Sequence, residues 1–394
     1  MSLRTTDAGQ KLPGIITVMA AAAGIVGANI HYSQPLLPLI ALSFGTTPGV
    51  LGALPALTQL GFAVSLLVIL PLADMFDRRT LILITVFIAS GALLAQSLAP
   101  NVPLLLIAAF IVGAASVAPQ ALSPFAASLA PEGRAGQASG MVLSGILLGV
   151  LLSKVVSGVV ASALGWQWLY TAASIAMLVV FAVLWRTLPR GLPIVDRPPF
   201  VSILTSPFVL LKAYPRLRLH AGLGALVSSM FMMFWGSYAL HLATEFNFGA
   251  LIAGLFGLAG IAGSLLAPLA GKSVDQGRTV LSLSLSAGAA LLAFIGMWIG
   301  GSSVLAIIVA LILLDAAVGV GHSTNQARVF RIDPTKRARL NSVYMFSYFV
   351  GGAIGSVLGV AAYSAFGWSG VCAVGVVLAI VMGGVIWLNR AKFH

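Results

Sequence analysis

The sequence predicts an all-α integral membrane protein of twelve transmembrane helices, arranged as two pseudo-symmetric six-helix bundles. Three observations predict it. Of the 394 residues, 59% are hydrophobic and only 8% are charged, whereas a soluble domain carries about 25% charged residues to cover its surface. Apolar runs long enough to cross a bilayer as a helix, about 20 residues, recur along the chain between breaks of Gly, Pro and charge. Two stretches of the first half also return in the second half, six helices later.

The runs fall at 14–43, 49–72, 80–98, 102–129, 136–163 and 166–188 in an N-terminal bundle, 1–188. They resume at 220–243, 249–271, 279–299, 303–327, 340–366 and 369–388 in a C-terminal bundle, 216–394. A linker rich in Pro and base, 189–215, joins the two. Of the 21 Lys and Arg residues, all but Lys154 lie in the tails or in loops after even-numbered runs: Arg78 and Arg79, Arg134, the 186–218 stretch, Lys272 and Arg278, and 328–339. Short basic loops stay on the cytoplasmic side. The pattern predicts a multi-pass protein of the cytoplasmic (inner) membrane with both termini in the cytoplasm. It also accounts for the net charge of +12 as a topology signal, with no nucleic-acid partner. The one cysteine, Cys372, lies in the last run, which excludes an internal disulfide.

Few groups along these runs carry chemistry. The first run holds a polar patch, Asn29, His31, Tyr32, Ser33 and Gln34, just before Pro35 and Pro38. Proline removes a backbone donor from a helix, so the patch reads as a substrate-facing wall in a half-broken helix. Lys154 in the fifth run and Asp315 in the tenth each lie roughly 16–18 Å from a helix end, at about 1.5 Å per residue, and hence near the midplane. An ionisable group there costs at least about 2.5 kcal/mol, so it faces a cavity or a partner. The couple is read as a functional pair, Asp315 carrying protons and Lys154 binding substrate, against the alternative of a permanent ion pair between helices. His322, seven residues after Asp315, and Gln326, four further, share its helical face. A histidine pKa near about 6.5 suits proton transfer. In the seventh run Trp235 and Tyr238, three apart, are candidate substrate-binding aromatics. Gly145 and Gly149 in the fifth run, and Gly351, Gly355 and Gly359 in the eleventh, follow the spacing that lets helices approach closely.

The repeat aligns each helix with the one six places on. Residues 61–80, GFAVSLLVILPLADMFDRRT, match 260–279, GIAGSLLAPLAGKSVDQGRT. Pro131, Arg134, Ala135, Ser139, Ser144, Gly149 and Ser153 recur 203 residues later as Pro334, Arg337, Ala338, Ser342, Ser347, Gly352 and Ser356. Both halves then share one orientation, related by an axis along the membrane normal.

Residues 70–79, LPLADMFDRR, resemble the loop between the second and third helices of the major facilitator superfamily. Leu72, Ala73, Asp74, Arg78 and Arg79 match its pattern, and Leu70, Met75 and Asp77 replace its two glycines and first basic residue. The runs ANIHYSQPLLPLI from Ala28, PFAASLAPEGRAG from Pro124 and NQARVFRIDPTKRARLNSVYMFSYFVGGAIGS from Asn325 resemble a bacterial arabinose-efflux-permease-like or drug:proton-antiporter-like branch. The resemblance implies the major facilitator fold, alternating access, a cytoplasmic gate at Asp74, Arg78 and Arg79, and proton-coupled efflux of a small amphipathic or partly anionic solute. Two departures leave a uniporter or proton symporter open. Ala109 stands where the exporters' fourth helix carries Arg, and Val150, Ser153 and Lys154 replace Pro and two glycines of the fifth-helix antiporter signature. An enzyme is not expected, since there is no HExxH, close His pair or reactive-Cys setting. A sensor would need a larger soluble output domain. The expected partners are a small-molecule substrate, protons and the lipid bilayer, with no cofactor and no metal, and the chain is expected to act as a monomer.

Overall fold

Helix ends fall where the local chemistry supplies caps and breaks. The structure, a computed structural model, describes residues 14–189, 207, 209–264 and 278–393. Most of the linker, the end of the eighth span and the loop after it, with Lys272, lie outside the described residues, as does the side chain of Asp74. Among the described residues, nine helices are long and apolar enough to cross a membrane; of three shorter apolar helices, Gly14–Ala28 and Gln34–Phe44 together make the first span and Ala250–Gly260 belongs to the eighth. One of the nine, Arg337–Leu388, is two spans: Gly367, at φ 62° and ψ −156°, reverses the chain between them. That backbone conformation is one only glycine adopts cheaply. Twelve spans result, as the sequence predicts.

The first span is broken. Helix Gly14–Ala28 gives way to turns through residue 33, then to a 3-10 turn Gln34–Leu36 and a second helix Leu37–Phe44. Pro35 and Pro38 sit in the opening turns of these two elements, where a missing N–H costs nothing. The fourth span is likewise divided into Val102–Ala115 and Ala118–Leu129. Pro119 there cannot donate to the Ala115 carbonyl. The third span, Arg78–Ser97, starts two residues before the expected position because Asp77 caps it, accepting from the backbone N (3.2 Å) and Oγ1 (2.9 Å) of Thr80. This local need for a cap accounts for an aspartate at that loop position.

Two large apolar cores follow the two halves of the chain. One gathers residues from Ile16 to Leu188 with Leu240 and Val360, the other residues from Leu223 to Phe393. Between halves, the fifth span, Ala135–Leu164, packs on the eighth, Ala250–Ser264, and the eleventh packs on the second. These are the same pairing under the six-helix offset, so the repeat is visible in the packing. Both seams use small residues. Gly158 meets the Ala250 backbone, Gly52 meets Val360, and Gly49 lies against Ser364. These contacts sit at the end of the bundle that carries the odd-numbered, base-free loops.

Candidate functional site

The seam between the fifth and eighth spans positions the two buried opposite charges. Gly254, Gly257 and Gly260 recur every three residues and present a nearly bare face of the eighth span. A Cβ on Gly257 would lie 2.9 Å from Lys154 Cβ and 3.1 Å from its Cδ, so the lysine stem rests directly on this glycine. One turn further, Gly260 is in contact with Asp315 Oδ2, and Trp235 Cζ2 lies 3.6 Å from the same Cβ position. Gly260 begins the second copy of the repeat. Its counterpart Gly61 packs on the backbone of Phe110 in the fourth span. The C-terminal half therefore has a carboxylate where the N-terminal half has helix backbone.

Lys154 and Asp315 are 5% and 9% exposed and attract each other across the halves. Among the described residues they form no direct ion pair. Trp235, in the seventh span Pro215–Glu245, lies against both. The Lys154 ammonium stands 2.9 Å above its ring centroid, and its indole N–H is directed toward Asp315 without completing a hydrogen bond. Asp315 Oδ1 is buried with no hydrogen-bond partner. Cation–π contact of a desolvated ammonium contributes about 2 kcal/mol, which is less than a direct ion pair in so apolar a setting. Both charges thus remain available to a third group.

The polar patch of the first span divides. His31 is within electrostatic reach of Lys154 and its Nδ1 lies 3.5 Å from Gln34 Nε2. Gln34 and Gln59, from the first and second spans, bracket Met232 of the seventh, with amide nitrogens 3.5 and 3.4 Å from its sulfur. Asn29 turns back into its own bundle, donating to Met177 Sδ at 3.4 Å, and Tyr32 joins the N-terminal core. The amide oxygens of Asn29, Gln34 and Gln59 are buried without partners. Leaving such groups unbonded costs free energy, so a polar ligand is favoured beside them.

Along the tenth span, Val304–Phe330, His322 Nδ1 is 3.0 Å from Tyr344 Oη and its ring packs on Tyr348 at 4.5 Å. Tyr348 is in turn within electrostatic reach of Asp315. Gln326 is turned to the eleventh span, donating to Asn341 Oδ1 at 3.0 Å, and is therefore not part of this chain of groups. Tyr238 donates to the Ala253 carbonyl at 3.0 Å, which ties the seventh span to the eighth and leaves its ring as the wall behind Trp235, centroids 4.9 Å apart. Of the expected gate, Arg79 donates to the Trp185 carbonyl of the sixth span, a contact inside one half; Arg78 is half-buried at the start of the third span.

Gln59, Met232, Tyr348 and the glycine face of the eighth span complete the site and were not expected from the sequence. Gln59 was findable, being an amide inside an apolar run like Gln34. The others are ordinary span residues until the packing is known.

Comparison with known proteins agrees with this architecture. The model of the Major Facilitator Superfamily matches residues 19–331 and 221–393. An Escherichia coli protein named "Putative uncharacterized transporter YgaY" is 37% identical and the match covers 95% of each chain. A Streptomyces coelicolor protein named "Probable transporter SCO4007" is 33% identical over 91% of this chain and 84% of its own. Among solved structures, a bacterial homologue of the human lysosomal transporter Spinster, inward-facing and unoccupied, superposes with a TM-score of 0.74 at 14% identity, covering 96% of this chain and 97% of its own. A POT family transporter in complex with 5-aminolevulinic acid gives 0.77 at 15% identity, covering 96% of each.

Proposed function

The chain belongs to the Major Facilitator Superfamily and is a membrane transporter of small molecules, and from that premise we propose that it exports a small amphipathic or partly anionic solute by alternating access, driven by protons. The observation that carries this reading is the meeting of Lys154 and Asp315, from opposite halves, on the glycine face of the eighth span around Trp235. A ligand anion arriving at Lys154 weakens its hold on Asp315, and a proton arriving at Asp315 does the same from the other side. Either event loosens a contact between halves, which is how occupancy is coupled to their relative movement. Tyr348, His322 and Tyr344 line a path from Asp315 toward the basic-loop end, where proton exchange with the cytoplasm is expected. Efflux as the direction rests on the resemblance to drug:proton-antiporter-like chains, and placement in the inner membrane rests on the basic loops.

The second reading, a uniporter or proton symporter, is favoured by Ala109 and Val150, which depart from the antiporter signatures. Both readings are tested in proteoliposomes, with a panel of small amphipathic anions, with and without a pH gradient. Efflux-type coupling predicts uptake into inverted-gradient vesicles that Asp315→Asn abolishes while substrate exchange continues, because the amide keeps the shape but carries no proton. Transport indifferent to the gradient in the wild type identifies a uniporter, and transport that follows the proton inward identifies a symporter.

A further inference from the structure

A groove lies on the outside of the bundle, on the seam between the seventh and eleventh spans. Here helices approach through small residues, Gly351 on the Ala225 backbone and Gly355 on Ser229, with Ser229 Oγ donating to the Gly351 carbonyl at 2.6 Å. So close an approach leaves the outer side of the seam hollow. The result is an open groove of about 610 Å³, walled by side chains such as Ala221, Leu226, Ile354 and Leu358, with Leu211 and Arg218 at the basic-loop end. From Arg218 to Ser229 it follows the seventh span for eleven residues, about 16 Å at 1.5 Å per residue, which is the scale of an extended acyl chain.

The polar groups of the groove determine the occupant. Ser229 bonds to Gly351, and Ser347 donates to the Val343 carbonyl at 3.1 Å. The side chain of Arg218, exposed, has no hydrogen-bond or ion-pair partner among the described residues, while its backbone N–H donates to the Tyr214 carbonyl at 3.3 Å. Arg216 and the exposed Lys212 add positive charge at the same end, and no Asp or Glu occurs between Asp196 and Glu245. Asp333, the acid that approaches this segment through Tyr214, is already held by Thr335 and Lys336. Gly222 lines the groove, and nothing lies within 4 Å of where its Cβ would stand.

We propose that this groove is a site for an anionic phospholipid, one acyl chain lying along the seventh and eleventh spans and the phosphate meeting Arg218. Hydrocarbon lining matches the chain, and a cation with no side-chain partner among the described residues, at the membrane edge, matches a net negative headgroup better than a zwitterionic one. The site is independent of the transport reading, since it touches neither Lys154 nor Asp315.

The test uses the full chain in phosphatidylcholine nanodiscs containing a trace of phosphatidylglycerol with a photoreactive diazirine on its acyl tail. Labelling, mapped by peptide mass spectrometry, is expected at groove residues such as Leu226 and Ile354. Unlabelled phosphatidylglycerol should compete about five-fold better than phosphatidylcholine, the preference that one basic residue near an anionic headgroup supplies. Arg218→Gln should abolish that preference and Arg218→Lys should keep it. Gly222→Leu should remove the groove label without loss of thermal stability, since the new side chain enters open space and favours helix. Equal competition by the two lipids in the wild type, labelling spread evenly around the bundle, or a label unchanged in both Arg218→Gln and Gly222→Leu would each overturn the proposal.

Discussion

Lys154 keeps its ammonium on an indole face rather than on a carboxylate, and the arrangement has measurable consequences. With Asp315 attracted but not touched, each charge depends partly on the other and partly on Trp235. Neutralising one leaves its partner buried with less compensation, a mechanism that destabilises by up to about 3–5 kcal/mol in directly bonded pairs and by less here. In purified protein, Lys154→Met and Asp315→Asn should each lower the melting temperature. The double variant should lose less than the sum, with a coupling on the order of 1 kcal/mol. Strict additivity would show that the two charges act independently. Trp235→Leu should also lower stability, and it should do so much less in a Lys154→Met background, where no cation remains above the ring.

At the scale of elements, the eighth span acts as a smooth rail. Gly257→Leu should displace the Lys154 stem, since even a Cβ at this position is too close to it. Transport is expected to be lost while membrane insertion and expression persist; an active Gly257→Leu would remove the rail from the mechanism. The short helical stretch before the seventh span is fastened differently. Tyr214 donates to Asp333 Oδ2 at 2.8 Å, Thr335 donates to Oδ1 through its backbone N (3.0 Å) and hydroxyl (2.6 Å), and Lys336 closes the cluster. These donors hold the Asp333 carboxyl well below the usual carboxylate range. A depressed folded-state pKa stabilises above the unfolded value, about 4, and that stabilisation is lost as pH falls toward the folded value. The protection of 209–218 against hydrogen exchange, relative to the unstructured rate at each pH, should therefore stay flat from neutrality down to about pH 4 and fall below it. Asp333→Ala should show the lowered protection at neutral pH already.

The whole molecule was legible in outline because hydropathy, loop charge and repeat all act over long stretches. The break in the first span was readable from Pro35 and Pro38. The depth of Lys154 and Asp315 was readable too, because rise per residue is fixed. What periodicity could not supply was facing: Gln326, on Asp315's sequence stripe, turns to Asn341, and Tyr238 turns to Ala253, since each finds a neighbour that only the packed bundle provides. Movement of the halves is tested at the seam opposite the basic loops, where a Gly49 Cβ would stand 3.9 Å from Ser364 Cβ, within the roughly 3.5–4.5 Å that a disulfide requires. Oxidised Gly49→Cys/Ser364→Cys should be inactive and recover on reduction. Full transport by the cross-linked form would mean that this seam never opens. For the membrane topology, a reporter active only in the cytoplasm should work after Arg79 or Arg278 and fail after Thr47 or Ser302.

The broken first span has a consequence for how the protein is made. Its leading helix, Gly14–Ala28, has 15 residues and reaches only about 22 Å, short of the roughly 30 Å hydrocarbon layer. The turns that follow it expose backbone groups that lipid does not satisfy. The cover for this helix is the fifth span, where Gly145 and Gly149 sit against Ala20 and Gly24, and that span is synthesised about 120 residues later. At about 5–20 residues per second, a nascent chain waits on the order of ten seconds for that cover. During the wait the first segment, already broken before Pro35 and Pro38, is expected to need other polar cover for its turns, and to settle into its final place only when the fifth span arrives beside it.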